Sequence, residues 1–131
     1  MRKQLKLTVP IYYTFEYKTK KPKTVLNGLN HYRNCHYHSL NKIKKYYHDL
    51  IGEMVDGIQL QTPLRSQNML YIKRKGSDGH NIAPIILKYV YDALQEHGVI
   101  PDDNTDHVVS DSTEYVINKN NPRMEIVLYS V

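Results

Sequence analysis

The sequence has almost no cysteine: Cys35 is the only one among 131 residues. An internal disulfide framework is therefore impossible, and a cysteine-based metal site would need most of its ligands from other residue types. Long apolar runs are also missing, since no run approaches the roughly 20 residues that a membrane helix needs. The N-terminal residues lead into an alternating pattern rather than the apolar core of a signal peptide. We therefore expect a cytoplasmic protein without membrane contact.

Acidic residues are scarce in the N-terminal part of the chain. Residues 1–50 hold eleven Lys or Arg against two acids, a net charge of +9, whereas residues 51–131 hold seven against eleven, a net charge of −4. A basic region suggests an anionic partner, most simply nucleic acid, because phosphates attract Lys and Arg without any sequence motif. Tyrosines interleave with the lysines of this region, and a Tyr ring can stack on an unpaired base.

The length and the 40% hydrophobic content fit one globular domain over residues 1–131. Residues 4–9 alternate between polar and apolar side chains, which predicts a strand that ends before Pro10. Residues 11–38 show no sustained period. They form either a basic, Tyr-rich arm or an edge hairpin around residues 11–17.

Two segments have the apolar spacing of helices. The first has Ser39 as its expected N-cap and ends before Gly57. The second has Asn81 as its expected cap, Pro84 in its first turn and Gly98 as its C-terminal signal.

Further strands are expected at residues 69–74, before a break at Gly76-Ser77, and at residues 107–117 and 123–131. The turn-rich residues 119–122 predict that the last two strands form a hairpin. The order β-α-β-α-β-β predicts an α+β fold of two layers, with two main helices on one face of a small mixed sheet.

Carboxylates and amides cluster in two loops, residues 77–81 before the second predicted helix and residues 101–106 after it. If the loops meet, they make a hard-cation site, because Mg²⁺ takes one or two carboxylates with waters and a substrate phosphate. The helix between them is about 24 Å long, so helical geometry alone does not unite them. Such clusters also occur in ordinary turns, and the local pattern leaves both interpretations open. Asp111 and Glu114, on a predicted strand, are expected to face solvent.

A second candidate metal cluster lies earlier in the chain. Its members are His31, Cys35, His36 and His38, which are zinc-ligand types. Their spacing is irregular and has no paired Cys-x-x-Cys element, so exposed loop residues near DNA are the preferred interpretation.

The ordered set of motifs resembles a known family. An N-terminal strand and a basic Tyr-rich segment are followed by Asp78–Asn81, Lys88, Asp92-Ala93-Leu94 and Gly98–Asp103. Over about residues 4–109 this combination resembles the RusA-like Holliday junction resolvases, small Mg²⁺-dependent endonucleases of phage and prophage origin.

The resemblance implies a homodimer that resolves four-way junctions by symmetric phosphodiester hydrolysis in recombination and repair, with Mg²⁺ or Mn²⁺ as cofactor. It implies catalytic roles for Asp78, His80, Lys88 and Asp103, and metal binding by Asp78 and Asp103. Asp102 is expected as a further metal ligand, since Asp102 or Asp106 could replace the carboxylate that is missing at His80. His80 departs from the family pattern, which has an aspartate there.

The basic residues expected to hold DNA backbones are Lys18, Lys20, Lys21, Lys23, Arg33, Lys42 and Lys45. Two alternatives stay open. One is a non-catalytic branched-DNA-binding protein of the same fold, and the other is a dimeric protein whose basic arm binds another acidic partner.

Overall fold

A computed structural model of the chain describes residues 2–75 and 78–131, so the predicted break at Gly76-Ser77 lies outside the described residues. The described residues form an α+β fold, as the sequence predicts. The elements in chain order are β1 Arg2–Val9, β2 Tyr12–Phe15, β3 Lys23–Leu26, α1 Leu29–Asn34, α2 Tyr37–Met54, β4 Leu64–Ile72, α3 Gly79–Glu96, β5 Val108–Ile117 and β6 Arg123–Ser130.

The main sheet has four strands in the order β1-β6-β4-β5. β6 pairs antiparallel with both β1 and β4, whereas β4 and β5 are parallel. β6 is central because its apolar side chains alternate and are fully buried, at Met124, Ile126 and Leu128. β5 forms an edge, and of its ten residues only Val108 is buried.

The predicted hairpin between the last two strands is wrong. β5 ends with Ile117 opposite Ile72 of β4, and β6 begins with Arg123 opposite Tyr71 of the same strand. Residues 118–122 therefore cross the end of β4 and place the two strands on opposite sides of it. Turn chemistry predicts a reversal of direction, but it does not determine which strands become neighbours.

The predicted Tyr-rich arm is ordered structure packed on the domain. β2 and β3 form an antiparallel two-stranded sheet, and α1 follows it directly. The hairpin is longer than the one expected around residues 11–17, because its second strand begins at Lys23. Phe15 and Val25 of the hairpin are buried. The Tyr13 ring contacts the Tyr46 ring of α2 edge-on, with ring centroids 5.2 Å apart.

Helix α2 begins earlier than the sequence predicts. Its N-cap is His36 rather than Ser39, and the His36 Nδ1 accepts a hydrogen bond from the backbone N–H of His38 at 3.2 Å. An imidazole nitrogen can satisfy a free amide at a helix start as a hydroxyl would. At the other end, Gly57 has the positive φ of 73° that favours glycine.

Helix α3 also begins earlier than predicted. Its N-cap position is Asp78, and Asn81, the expected cap, instead donates from Nδ2 to Asp78 Oδ2 at 2.5 Å. Pro84 therefore falls in the second turn rather than the first. Because proline has no N–H, it cannot donate to the carbonyl of His80 one turn earlier. Gly98 closes the helix with a positive φ of 72°, as predicted.

Tyr47 of α2 connects the hairpin to the domain. Its side chain is fully buried, and its hydroxyl donates to the carbonyl of Pro10 at 2.7 Å and accepts from Asn27 Nδ2 at 2.9 Å. Asn27 also donates its backbone N–H to the carbonyl of Ile11 at 2.9 Å. One phenol therefore satisfies polar groups at both ends of the hairpin where these meet α2.

We expect Tyr47→Phe to lower the free energy of unfolding by about 1–3 kcal/mol, because it leaves the Pro10 carbonyl and the Asn27 amide without their buried partner. Urea unfolding measures the change. Tyr46→Phe is the control: no described residue hydrogen-bonds the Tyr46 hydroxyl, and its replacement should change stability by less than about 0.5 kcal/mol. Equal effects of the two substitutions would contradict this role for Tyr47.

Candidate functional site

Helix α3 exposes one narrow polar stripe. Eleven of its eighteen residues are buried. His80, Pro84 and Lys88 are exposed at intervals of four residues, and the half-buried Asp92 continues the same line. Residues four apart lie on one helix face, so these four form a continuous row, here called the α3 stripe.

The α3 stripe forms one wall of a groove of about 430 Å³, here called the α3–β5 groove. The opposite wall comes from β5 and from the loop that follows α3. The groove is lined by His80, Ala83, Pro84, Leu87, Lys88, Tyr91, Asp103, Asp111, Thr113 and Tyr115. The loops before and after α3 therefore do not have to lie at the same end of the helix. Asp103 of the second loop and strand β5 lie beside α3 instead.

Three of the predicted catalytic residues, His80, Lys88 and Asp103, line this one groove. The fourth, Asp78, does not line it; it is exposed at the start of α3, where its carboxylate accepts from Asn81. Predicted metal ligand Asp102 is also outside the lining. Its carboxylate accepts the backbone N–H of Asp103 at 2.7 Å and Nδ2 of Asn104 at 3.1 Å, which stabilises its own loop.

Asp103 is in an environment that disfavours its charge. Partial burial raises the pKa of its carboxyl above the ordinary value, and the neighbouring carboxylates of Asp102 and Asp92 raise it further. Lys88 is the nearest cation of the α3 stripe, but its Nζ lies 3.7 Å from Asp92 Oδ2. Perturbed carboxyl groups of this kind concentrate at functional sites.

Asp111 is the groove residue that the sequence analysis assigned to solvent. Its Oδ1 accepts hydrogen bonds from the hydroxyls of Ser66 on β4 and Tyr91 on α3. Ser66 in turn accepts from Asn68 Nδ2 at 3.1 Å, and Asn68 is 5% exposed with its Oδ1 unpaired among the described residues. This polar network lies beneath the groove. Sequence patterns could not indicate it, because its four members come from three different elements.

Tyr115 of β5 packs against the start of α3, where it contacts Gly79 and His80. Its ring lies against the backbone of Gly79, where an added Cβ would overlap it. The Tyr115 hydroxyl is 3.3 Å from Nδ1 of His80, and the two rings meet at 66° with centroids 5.4 Å apart. His80 is therefore held by a neighbouring strand at the start of α3. Glycine at position 79 permits this close approach.

The carboxylates of the groove suit a cation that keeps several of its bound water molecules. Asp103 and Asp111 supply two carboxylates to the groove, and Mg²⁺ sites commonly use one or two carboxylates plus waters and substrate phosphate. Within residues 2–75 and 78–131, no three His, Cys, Asp or Glu side chains are grouped to hold a metal. The residues of the second candidate metal cluster, His31, Cys35, His36 and His38, are likewise not grouped to hold a metal. A closed, all-protein metal cage is thus absent from the described part of the chain.

The predicted DNA-binding residues are all exposed, and most lie on the hairpin and α2. Lys20 Nζ is 4.2 Å from the centre of the Tyr17 ring, and Tyr17 stacks on Phe15 with centroids 6.5 Å apart. On α2, Lys45 Nζ is 3.2 Å from Asp49 Oδ2. Lys44 and Lys45 also line a second groove, between α2 and α3, here called the α2–α3 groove. The remaining predicted contacts are at Lys18, Lys21, Lys23, Arg33 and Lys42.

The two grooves adjoin along α3. Asp92 lines the α2–α3 groove, and its partner Lys88 lines the α3–β5 groove. Lys44 and Lys45 of α2 therefore line a groove that shares helix α3 with the groove of Asp103 and Asp111. This juxtaposition brings the two oppositely charged parts of the sequence close together.

Comparison with models of protein families gives no match for this chain, and comparison with curated proteins gives no significant match. The resemblance to RusA-like resolvases therefore stays a hypothesis. Among the described residues, no helix is both long and apolar enough to span a bilayer.

We expect Asp103→Asn to raise the melting temperature at pH 7, because the folded state then no longer holds a disfavoured charge. The raised pKa means that the contribution of Asp103 to stability is fully present at acidic pH, where the carboxyl is protonated in both states, and is lost as the pH rises and the carboxyl ionises. The gain should therefore shrink as the pH is lowered and the carboxyl becomes protonated. Melting curves in metal-free buffer across this range measure it.

Asp106→Asn is the control for that measurement, since it removes an exposed carboxylate from the same loop. It should leave the melting temperature within about 1 °C of wild type at every pH. A stabilisation equal to that of Asp103→Asn would mean that the gain comes from the net charge of the loop, and not from the environment of Asp103.

Proposed function

We propose that the chain is a Mg²⁺-dependent, structure-specific endodeoxyribonuclease that resolves Holliday junctions by hydrolysing phosphodiesters on symmetric strands. The observation that supports it most is the α3–β5 groove, which contains three of the four side chains to which the resemblance assigns catalysis. Asp103, Lys88 and His80 come from a loop and from two turns of α3. The helical spacing of α3 puts His80 and Lys88 on one face, whereas the position of Asp103 beside them does not follow from that spacing.

Each side chain has a chemistry that suits phosphodiester hydrolysis. The Lys88 ammonium can neutralise charge on a phosphate, and its partly exposed pairing with Asp92 leaves it free to reorient. An exposed imidazole such as that of His80 is a common general acid or base in enzymes. Asp103 can hold a divalent cation together with the second groove carboxylate, Asp111. When bound, such a cation neutralises phosphate charge and lowers the pKa of a nearby water.

The charge distribution supports DNA as the substrate. Phosphate backbones are attracted by Lys and Arg and repelled by carboxylates, so DNA held only by the acidic groove would bind poorly. The hairpin between β2 and β3 and the exposed face of α2 supply the cations, and the α2 face borders the groove across the α3 stripe. A homodimer would present two such grooves to the two-fold symmetric strands of a four-way junction.

We expect the wild-type chain to nick a synthetic four-way junction in Mg²⁺ or Mn²⁺. Asp103→Asn should reduce nicking by at least about 100-fold, in line with the loss of one electrostatic group at a reacting phosphate. The same variant should bind the junction in chelator as tightly as wild type or more tightly, because it removes a negative charge facing phosphate. Gel assays of nicking and of binding measure both effects.

Asp106→Asn is the matched control and should nick like wild type. Nicking that survives in Asp103→Asn would mean that Asp103 is not the catalytic carboxylate. A wild-type protein that binds junctions but nicks none of them with Mg²⁺ or Mn²⁺ would contradict the nuclease proposal. That result would favour the non-catalytic branched-DNA-binding protein instead.

The hairpin makes its own prediction for binding. Replacing Lys20, Lys21 and Lys23 together by Ala should weaken junction binding and lower the slope of log K against log salt by roughly 3, about one per lost phosphate contact. Fluorescence anisotropy at several salt concentrations measures the slope. The hairpin fold should persist, because all three side chains are exposed.

The control removes the same charge elsewhere. Lys3, Lys6 and Lys119 are exposed, on β1 and on the connection before β6, and their joint replacement by Ala should leave the salt slope within about one of wild type. If both triple variants change the slope equally, the attraction depends on net charge alone and the hairpin is not a specific DNA contact.

A further inference from the structure

Strand β5 is an open edge of the main sheet. No described strand pairs with its outer side, and of its ten residues only Val108 is buried. Eight large apolar side chains are exposed within residues 2–75 and 78–131, and half of them lie on this one strand, at Val109, Tyr115, Val116 and Ile117. A strand that presents free backbone N–H and C=O groups beside exposed apolar side chains pairs readily with another strand.

The opposite edge of the sheet, β1, is protected in two ways that β5 lacks. It carries the exposed Lys3 and Lys6. The Gln4 side chain also donates to the carbonyl of Gln61 and accepts its backbone N–H, each at 3.0 Å, so a loop lies beside this edge. Lysines and covering segments are the usual devices that keep an edge strand from pairing. β5 has no lysine, and its side chains are exposed.

The charge of β5 decides which class of partner fits this edge. The strand carries Asp111 and Glu114 and no Lys or Arg, so it repels a phosphate backbone. The partner is therefore a protein strand, with apolar side chains to meet residues 115–117 and a cation to meet a carboxylate. The chain itself offers both, because Lys119 follows these apolar residues and is the first Lys or Arg after Lys88.

We infer that β5 pairs antiparallel with β5 of a second copy of the chain, about a two-fold axis at Val116; this inference rests on the homodimer of the proposed function. In this register Val116 faces Val116 of the second copy, and Tyr115 faces its Ile117. Apolar pairs of this kind stabilise neighbouring strands.

The charges favour this register over a pairing centred on the middle of the strand. Lys119 of the second copy faces Thr113 and is therefore the diagonal neighbour of Asp111, where opposite charges attract. Glu114 faces Asn118, a neutral residue. A two-fold axis at Ser112 or Thr113 would instead bring the carboxylates of the two strands closer together, where like charges repel.

This interface places the two α3–β5 grooves on either side of one two-fold axis. β5 lines the groove with Asp111, Thr113 and Tyr115, so the strand of the second copy runs along the outer side of the same wall. Lys119 of the second copy is thereby added to the rim of the groove. Two grooves related by a two-fold axis are the arrangement that cleavage of symmetric strands requires.

Sedimentation of the DNA-free chain tests the interface without a cleavage assay. A strand pair of this length is a small interface, so we expect wild type to dimerise with a dissociation constant of roughly 1–100 μM. Val116→Lys should weaken dimerisation by at least about 10-fold, because like charges then face each other at the two-fold axis. Val116 is exposed, so the variant should fold, and melting curves check this.

Val131→Lys is the matched control, since Val131 is also an exposed valine but lies outside β5. This variant should dimerise within about 2-fold of wild type. The inference is overturned if wild type is still monomeric at about 200 μM, or if Val116→Lys dimerises as tightly as wild type. Equal weakening by the two lysine substitutions overturns it as well, since added charge alone would then explain the effect.

Disulfide cross-linking tests the register and does not depend on a destabilising variant. In a Cys35→Ser background, Val116→Cys should give a disulfide-linked dimer on oxidation, because facing residues of antiparallel strands have Cα atoms about 4.5–5.5 Å apart. Val131→Cys should stay unlinked. A wild-type dimer in which Val116→Cys links no better than Val131→Cys overturns this interface and leaves the proposed function standing. A cross-linked dimer beside wild type that nicks no junction supports the interface and contradicts the proposed function alone.

Discussion

The near-complete burial of α3 is the constraint on which the candidate site depends. On one side the Tyr89 ring of α3 stacks on Tyr47 of α2, with centroids 5.0 Å apart and planes 6° from parallel. On another side Tyr91 hydrogen-bonds to the carboxylate of Asp111 on β5. A helix held in this way cannot rotate without exposing apolar surface, at about 25 cal/mol for each Å². The α3 stripe therefore has one orientation, and it is the orientation that faces β5.

Two polar side chains, Asn68 beneath Ser66 and Asp103 in the loop after α3, are in less favourable surroundings than the apolar core. Asn68 has an unpaired, buried Oδ1, and Asp103 has a raised pKa because burial and two nearby carboxylates disfavour its charge. Buried polar groups are usually paired, because an unmade hydrogen bond costs about 1–3 kcal/mol. Leu70, Ile86 and Ile126 are fully buried, so the unpaired Asn68 Oδ1 contrasts with a well-packed apolar core.

Local patterns predicted the elements well and their neighbours poorly. The α3 period, the positive φ at Gly98 and the strand that ends before Pro10 follow from side-chain spacing and backbone preference within one segment. The parallel pairing of β4 with β5 joins residues about 45 positions apart, and no local pattern specifies such a pairing. Asp111 is exposed, as expected, but its hydrogen bonds to Ser66 and Tyr91 were not predicted, because an edge strand with polar residues on both faces does not indicate which face is covered.

The opposed charges of the two parts of the chain can be understood together once the grooves are seen to adjoin. A groove with the carboxylates of Asp103 and Asp111 repels a phosphate, so on the proposed function DNA contacts elsewhere must supply the attraction that brings a phosphate to Lys88 and His80. The lysines of the hairpin and of α2 are held in place for this by the Tyr47 hydrogen bonds and by the Tyr47–Tyr89 stack. The same buried tyrosine thus orients α3 and attaches the basic hairpin. On the proposed function, binding free energy gained at the basic surface offsets the repulsion between phosphate and the acidic groove. A phosphate chain too short to reach both surfaces would therefore be disfavoured in the groove.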